Sequence, residues 1–180
     1  AVWDFRKSRL VALSWYPDDD PQLYFSTVSF NTTTGTLITV QQHTLIQDQI
    51  AASGSLLAQF TSVDGMGTVD ILFGTYYSSV PAQLPETPVV VDIIVAIDVD
   101  RKKVLNSVTL PVTLMNMQIN CLTHVLYGSG LDLFGRLAYF ELCTAENVTK
   151  KVGSVTQTTA VVECEVRELG ELPSQVNQMY

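Results

Sequence analysis

Charge is scarce in this sequence: Asp, Glu, Lys and Arg make up 16% of its 180 residues, against about 25% in ordinary soluble domains. Ser, Thr, Asn and Gln must therefore carry much of the surface. Positive charge is scarcest, with 10 Lys and Arg against 18 Asp and Glu and a net charge of −8. A basic face supplies most of the affinity for nucleic acid, so none is expected as a partner. Anionic membrane surfaces are disfavoured for the same reason. Histidine occurs only twice, as His43 and His124, and neither lies in a nucleophile motif. Gly-x-Ser-x-Gly and His-Glu-x-x-His are both missing, so no enzyme activity and no cofactor are expected.

Long hydrophobic runs are missing too. The longest, "PVVVDIIVAIDV" (88–99), is interrupted by Asp92 and Asp98 and is too short and too charged to span a bilayer. No signal peptide is visible and the chain begins at Ala1, which reads as a processed chain or a piece of a longer one. Helical periodicity is nearly absent. Its best stretch, "LIQDQIAASGSLLAQF" (45–60), is broken by Gly54 and its flanking serines, and predicts a loop or one short helical turn.

What is present is apolar content, 47% of the residues, enough for one domain (1–180) with a sizeable core. The apolar residues alternate with period two, or run for four to six positions between Gly, Pro, Asp and Asn. That pattern predicts strands. Three segments repeat one shape: "QLYFSTVSFNTTTGTLITV" (22–40), "DIIVAIDVDRKKVLNSVTL" (92–110) and "RLAYFELCTAENVTKKVGSV" (136–155). In each, two apolar residues spaced by one precede a turn: Val28 and Phe30, Ile97 and Val99, Phe140 and Leu142. A new strand then opens at Leu37, Val104 or Val148, so each segment predicts a hairpin.

A second strand type precedes these hairpins. "VLYGSG" (125–130) has a twin in "ILFGTYY" (71–77) and a weaker one in "RLVALSW" (9–15). "VLYGSG" is not a phosphate loop, which needs a longer Gly-rich stretch ending in Lys-Ser/Thr and opening a helix. Gly128 instead predicts close approach to a neighbouring strand. A third type, "LLAQFTSVD" (56–64) and "LMNMQIN" (114–120), comes earlier still, and "AVVECEVREL" (160–169) reads as another copy.

Repeated four-stranded antiparallel units of this kind resemble the blades of β-propellers, with an aromatic-Gly strand and an Ile-Asp-x-Asp turn. The Gly-His and Trp-Asp pairs of the best-known propeller repeat are missing. The resemblance implies an all-β fold with units at 9–46 (three strands), 56–112 and 113–157, and an opening strand of a further unit at 160–169. Closed propellers have at least four blades. A partial propeller would therefore need more polypeptide, from the same chain or from a homo-oligomeric partner. A β-sandwich of ten to twelve strands is the alternative, because both folds use twisted antiparallel meanders.

Candidate sites are few. Asp18, Asp19 and Asp20, in "PDDDPQ", could offer hard oxygens to calcium. The tract lacks the spacing and distal Glu of an EF-hand, so a solvated connection is the plainer reading. Asp100, beside Arg101, Lys102 and Lys103, is expected to accept turn hydrogen bonds. Trp15, Tyr16, Tyr76 and Tyr77 could stack on a sugar ring, with Tyr76 and Tyr77 opening a proline-rich loop at 76–88. Core burial is the commoner fate of such aromatics.

Asn31 and Asn147 begin Asn-x-Thr sequons in predicted turns, where a glycan is tolerated. Cys121, Cys143 and Cys164 fit one disulfide plus a free or intermolecular thiol, or three reduced thiols; their pairing is open. Their spacings match no zinc pattern. Low charge and two sequons point to a secreted or cell-surface protein. Three functions follow in order: a non-catalytic structural or assembly protein that associates with other chains, a glycan- or ligand-binding module using the 76–88 loop, and a fragment of an enzyme propeller. An exposed sheet edge that invites a second chain favours the first.

Overall fold

The computed structural model describes residues 1–15, 23–46, 57–64, 68–80 and 89–171. Among them every regular element is a strand. The first sheet holds β1 (Val2–Asp4), β2 (Arg9–Trp15), β3 (Leu23–Phe30) and β4 (Leu37–Ile46). The second holds β5 (Ala58–Val63), β6 (Val69–Val80), β7 (Val89–Asp98) and β8 (Lys103–Thr109). The third holds β9 (Thr113–Asn120), β10 (Val125–Leu131), β11 (Leu137–Val152) and β12 (Val155–Glu171). Each is a four-stranded antiparallel meander in chain order, and none closes into a barrel. The all-β architecture read from the sequence is the one observed, as three four-stranded antiparallel sheets that fit either the blade-like or the sandwich reading. No helix among the described residues is long and apolar enough to cross a membrane.

The three sheets stack, with the second in the middle. Ile71, Phe73, Ile94 and Ala96 point into a core shared with Met117, Leu126 and Phe140 of the third sheet. Their neighbours Leu72, Val95 and Ile97 point the other way, into a core with Val11, Leu13 and Phe25 of the first. A strand buried on both faces must be apolar at consecutive positions. That is why "ILFG" and "IIVAI" do not alternate while the outer sheets do. Phe25, Phe73 and Phe140 are at most 1% exposed, and each such side chain contributes about 1.5–3 kcal/mol from burial. The first strands of the sheets also meet across the layers, β1 against β5 and β5 against β9, as β8 meets β12.

The glycine of "VLYGSG" does what close approach requires. A Cβ at Gly128 would lie 2.7 Å from Leu142 Cδ1 and 2.8 Å from Leu114 Cδ2. Its twin Gly74 leaves room for Leu13 of the first sheet, whose Cδ1 would be 1.7 Å from a Cβ there.

Two boundaries differ from those the repeats predict. The third hairpin does not turn near 143–147 with a strand opening at Val148. β11 runs on to Val152, with Val148 opposite Thr159, and reverses at Gly153. "ELCTAENVTKK" contains neither Gly nor Pro, so nothing stops the strand until Gly153, whose φ is +65°, a conformation favoured by glycine. Residues 160–169 do not open a further unit either. They belong to β12, hydrogen-bonded to β11 along the edge of the third sheet. With Val2–Asp4 pairing to β2 as well, each of the three sheets has four strands among the described residues.

Candidate functional site

Four turns of the stack share one construction. A short polar side chain at the turn's first position accepts backbone N–H groups two to four residues on. Asp4 Oδ1 accepts from Arg6 N and Lys7 N at 3.0 and 3.2 Å. Asn31 Oδ1 does the same with Thr33 N and Thr34 N, and Asn120 Oδ1 with Leu122 N and Thr123 N. Asp132 Oδ1 holds Phe134 N and Arg136 N at 2.8 Å. Such side chains mimic a backbone turn and so nucleate these hairpins. At the β7–β8 turn the acceptor is Asp98, which takes Arg101 N at 3.0 Å, rather than Asp100 as the sequence suggested.

Asp100 is used elsewhere, in a charged seam between the first and second sheets. It pairs with Lys7 Nζ and, at 3.0 Å, with Arg9 Nη2. The Arg9 guanidinium also reaches Asp4 Oδ2 at 2.9 Å and Asp70 Oδ2 at 3.3 Å. Asp4 and Asp70 are both fully buried, and Lys7 Nζ lies 2.7 Å from Asp70. Burial alone would raise the Asp100 carboxyl, but bonding to Lys7 and the charges of Arg9 and Lys7 hold it below the usual range. At the rim, Arg6 grips Asp64 bidentately at 2.7 and 2.8 Å, and that bonding lowers Asp64 to about 2. With Ser62 Oγ also donating to Asp70, every carboxylate of the seam is engaged. These contacts fasten the first layer to the second.

Beside the seam, where β1 and β5 approach the β9–β10 turn, lies a groove of about 300 Å³. Trp3, Phe5, Arg6, Phe60, Ser62 and the exposed free Cys121 line it. His124, in the same turn, is held by Thr61 Oγ1 at 2.9 Å from Nδ1. Among the described residues no three His, Cys, Asp or Glu side chains are grouped to hold a metal ion.

Both ends of the stack expose apolar side chains among polar ones. Because β2 and β3 turn Val11, Leu13 and Phe25 toward the second sheet, the alternate residues face outward. Cross-strand register sets Trp3, Leu10, Val28 and Val40 in one outward row. Phe30 lies against Trp3, with ring centres 6.2 Å apart, and Ile38 and Val40 are 61% and 59% exposed. On the third sheet two outward rows are mainly polar, Asn116, Ser129 and Tyr139 in one and Gln118, Tyr127, Glu141 and Arg167 in the next, while Met115, Leu131, Leu137 and Leu169 of the same sheet are also exposed.

The residues singled out from sequence distribute unevenly over this frame. Tyr16, Asp18, Asp19 and Asp20 lie outside the described residues, as do the side chains of Trp15 in β2 and Tyr77 in β6. Tyr76 is not an open platform at the mouth of a loop. β6 continues to Val80 in register with β7, and Tyr76, 3% exposed, is part of the core between the first two sheets. Cys143 and Cys164 form a disulfide between β11 and β12, leaving Cys121 free.

Asn31 sits on an exposed turn as expected. Asn147 does not: it lies within β11 opposite Ala160, and its Nδ2 donates to the Asp64 carbonyl of the second sheet. The sequence alone assigns Tyr127 and Tyr139 no binding role. Their signal is an aromatic followed two positions later by a polar residue, Tyr127-x-Ser129 and Tyr139-x-Glu141, on strands whose other face is apolar. No protein-family model, curated protein or solved structure matches this chain.

Proposed function

We propose that this chain is a non-catalytic structural or assembly protein of the extracellular space, built from propeller-like blades and associating with other polypeptide through the outer face of its first sheet. The observation that carries the reading is the apolar row on the outer face of the first sheet. The first sheet ends in Trp3, Leu10, Val28, Phe30, Ile38 and Val40, the kind of face that the second sheet covers on both of its own sides. Three blades cannot meet end to end, so the blade that would cover this face comes from a partner chain or from further sequence.

The disulfide supports an oxidising compartment. Asn31, on an exposed turn, is the sequon best placed to carry a glycan.

Charge on the open face tests the proposal. Light scattering coupled to size-exclusion chromatography should show self-association of the wild-type chain, and the I38D/V40D double variant should elute as a monomer with unchanged far-ultraviolet dichroism. Equal association of both proteins would remove the first sheet from the interface.

A further inference from the structure

The outer face of the third sheet carries a second feature, independent of association through the first. A depression of about 140 Å³ lies over Ser129, lined by Asn116, Gln118, Tyr127 and Tyr139 together with the backbone of β10. It exists because Ser129, the smallest side chain in its row, is flanked by Tyr127 two positions earlier and Tyr139 directly opposite. Beyond Tyr139, on β12, the register partner is Gly170, and a Cβ there would meet nothing within 4 Å. The Tyr139 ring is 48% exposed, and Gly170 sets no side chain beside it.

The polar groups around the depression are largely unused. Asn116 Oδ1 accepts from Met117 N at 2.8 Å, which leaves its Nδ2 available. The Gln118 amide, the Ser129 hydroxyl and both phenols make no side-chain hydrogen bond to the described residues. Amides and hydroxyls donate and accept at once, which matches a ligand whose own groups do both. The neighbouring charge is cancelled, since Glu141 is paired with Arg167 at 3.1 Å. Among the described residues the platform thus offers no unpaired cation to a phosphate or sulfate, and the chain's net charge of −8 repels polyanions. Two tyrosine rings supply apolar area with polar tips. A pyranose ring is complementary to this set: its C–H face lies on an aromatic ring while its equatorial hydroxyls reach amide and hydroxyl groups in the same plane.

We infer that the Asn116–Ser129–Tyr139 row is a binding site for an uncharged saccharide, with Tyr139 as the stacking ring and Asn116, Gln118 and Ser129 as hydroxyl partners. The site sits at the opposite end of the stack from the apolar face, so both can be occupied together.

The full chain is titrated with cellotetraose, chitotetraose and mannotetraose, using saturation-transfer NMR and calorimetry. At least one probe should bind. Tyr139→Ala should weaken it about tenfold, the loss of one stacking contact. Ser129→Trp, which fills the depression and keeps both tyrosines, should abolish transfer. The I38D/V40D variant should bind as the wild type does, which separates this site from the assembly reading. Absence of transfer from all three probes would overturn the inference, and so would binding that survives both Tyr139→Ala and Ser129→Trp.

Discussion

Arg9 of the first sheet and Asp100 of the second are joined at 3.0 Å across the layer boundary, by a guanidinium that also holds the buried Asp4. Arg9 is only 13% exposed at its side chain, so its charge and those of Asp4 and Asp70 are mutually required. Removing one partner of a buried ion pair leaves the other uncompensated, at about 3–5 kcal/mol. Arg9→Ala should therefore lower the urea midpoint strongly, whereas Arg6→Ala, which breaks only the exposed pair with Asp64, should lose much less. Equal losses in the two would show that the buried charges do not fasten the layers.

The carboxylates respond to acid with opposite signs. Asp100 is held below its ordinary range by Lys7 and Arg9 against the opposing effect of burial. Asp132 is held down likewise by Arg136 and Phe134 against burial. Both contribute stability above the ordinary carboxylate pKa and lose it as pH falls through their lowered values. Asp92 runs the other way. Burial raises it, with the Leu114 N–H at 3.2 Å only partly offsetting this. Its contribution is most favourable below the ordinary carboxylate pKa and is lost as pH rises through the raised value. Asp92→Asn, which keeps an acceptor for Leu114, should raise the urea midpoint at neutral pH and leave it little changed in acid. A variant that is destabilised equally at both pH values would refute this assignment.

The Cys143–Cys164 bond closes a separation of 21 residues along the long β11–β12 hairpin. A loop of that size is worth about 3 kcal/mol of denatured-state entropy. C143A/C164A should lower stability by about that much in urea unfolding, and reductant should then have no further effect. A variant as stable as the wild type under oxidising conditions would place the disulfide outside the determinants of stability.

The two sequons should behave differently in a secreting host. Asn31 stands on an exposed turn, while the Asn147 amide is engaged with the second sheet. Intact mass should show one glycan, lost in N31Q and retained in N147Q. A glycan at Asn147 would require that contact to be absent when the chain is modified.

Much of this fold could be read before the structure because its determinants are local. Alternation identified the strands, and the aromatic-Gly pair in Tyr127-Gly128 and Phe73-Gly74 marked where neighbours come close. The stretches "ILFG" and "IIVAI" needed the stack to explain them, since a strand with two buried faces has lost its alternation. The third hairpin was misplaced because its polar middle resembles a turn, yet it lacks a residue that forces one before Gly153.

The charged seam was not legible at all. Arg9 and Asp100 are 91 residues apart, and nothing local links them. The same holds for the Tyr139 platform, whose parts come from three strands and whose surface is defined by register rather than by motif.

Sedimentation velocity of the wild-type chain over a range of concentrations is the most direct measure of the apolar end face. The account predicts a species heavier than one 19.8 kDa protomer, growing with concentration and dispersed by Ile38→Asp. A single 19.8 kDa component at every concentration would contradict it.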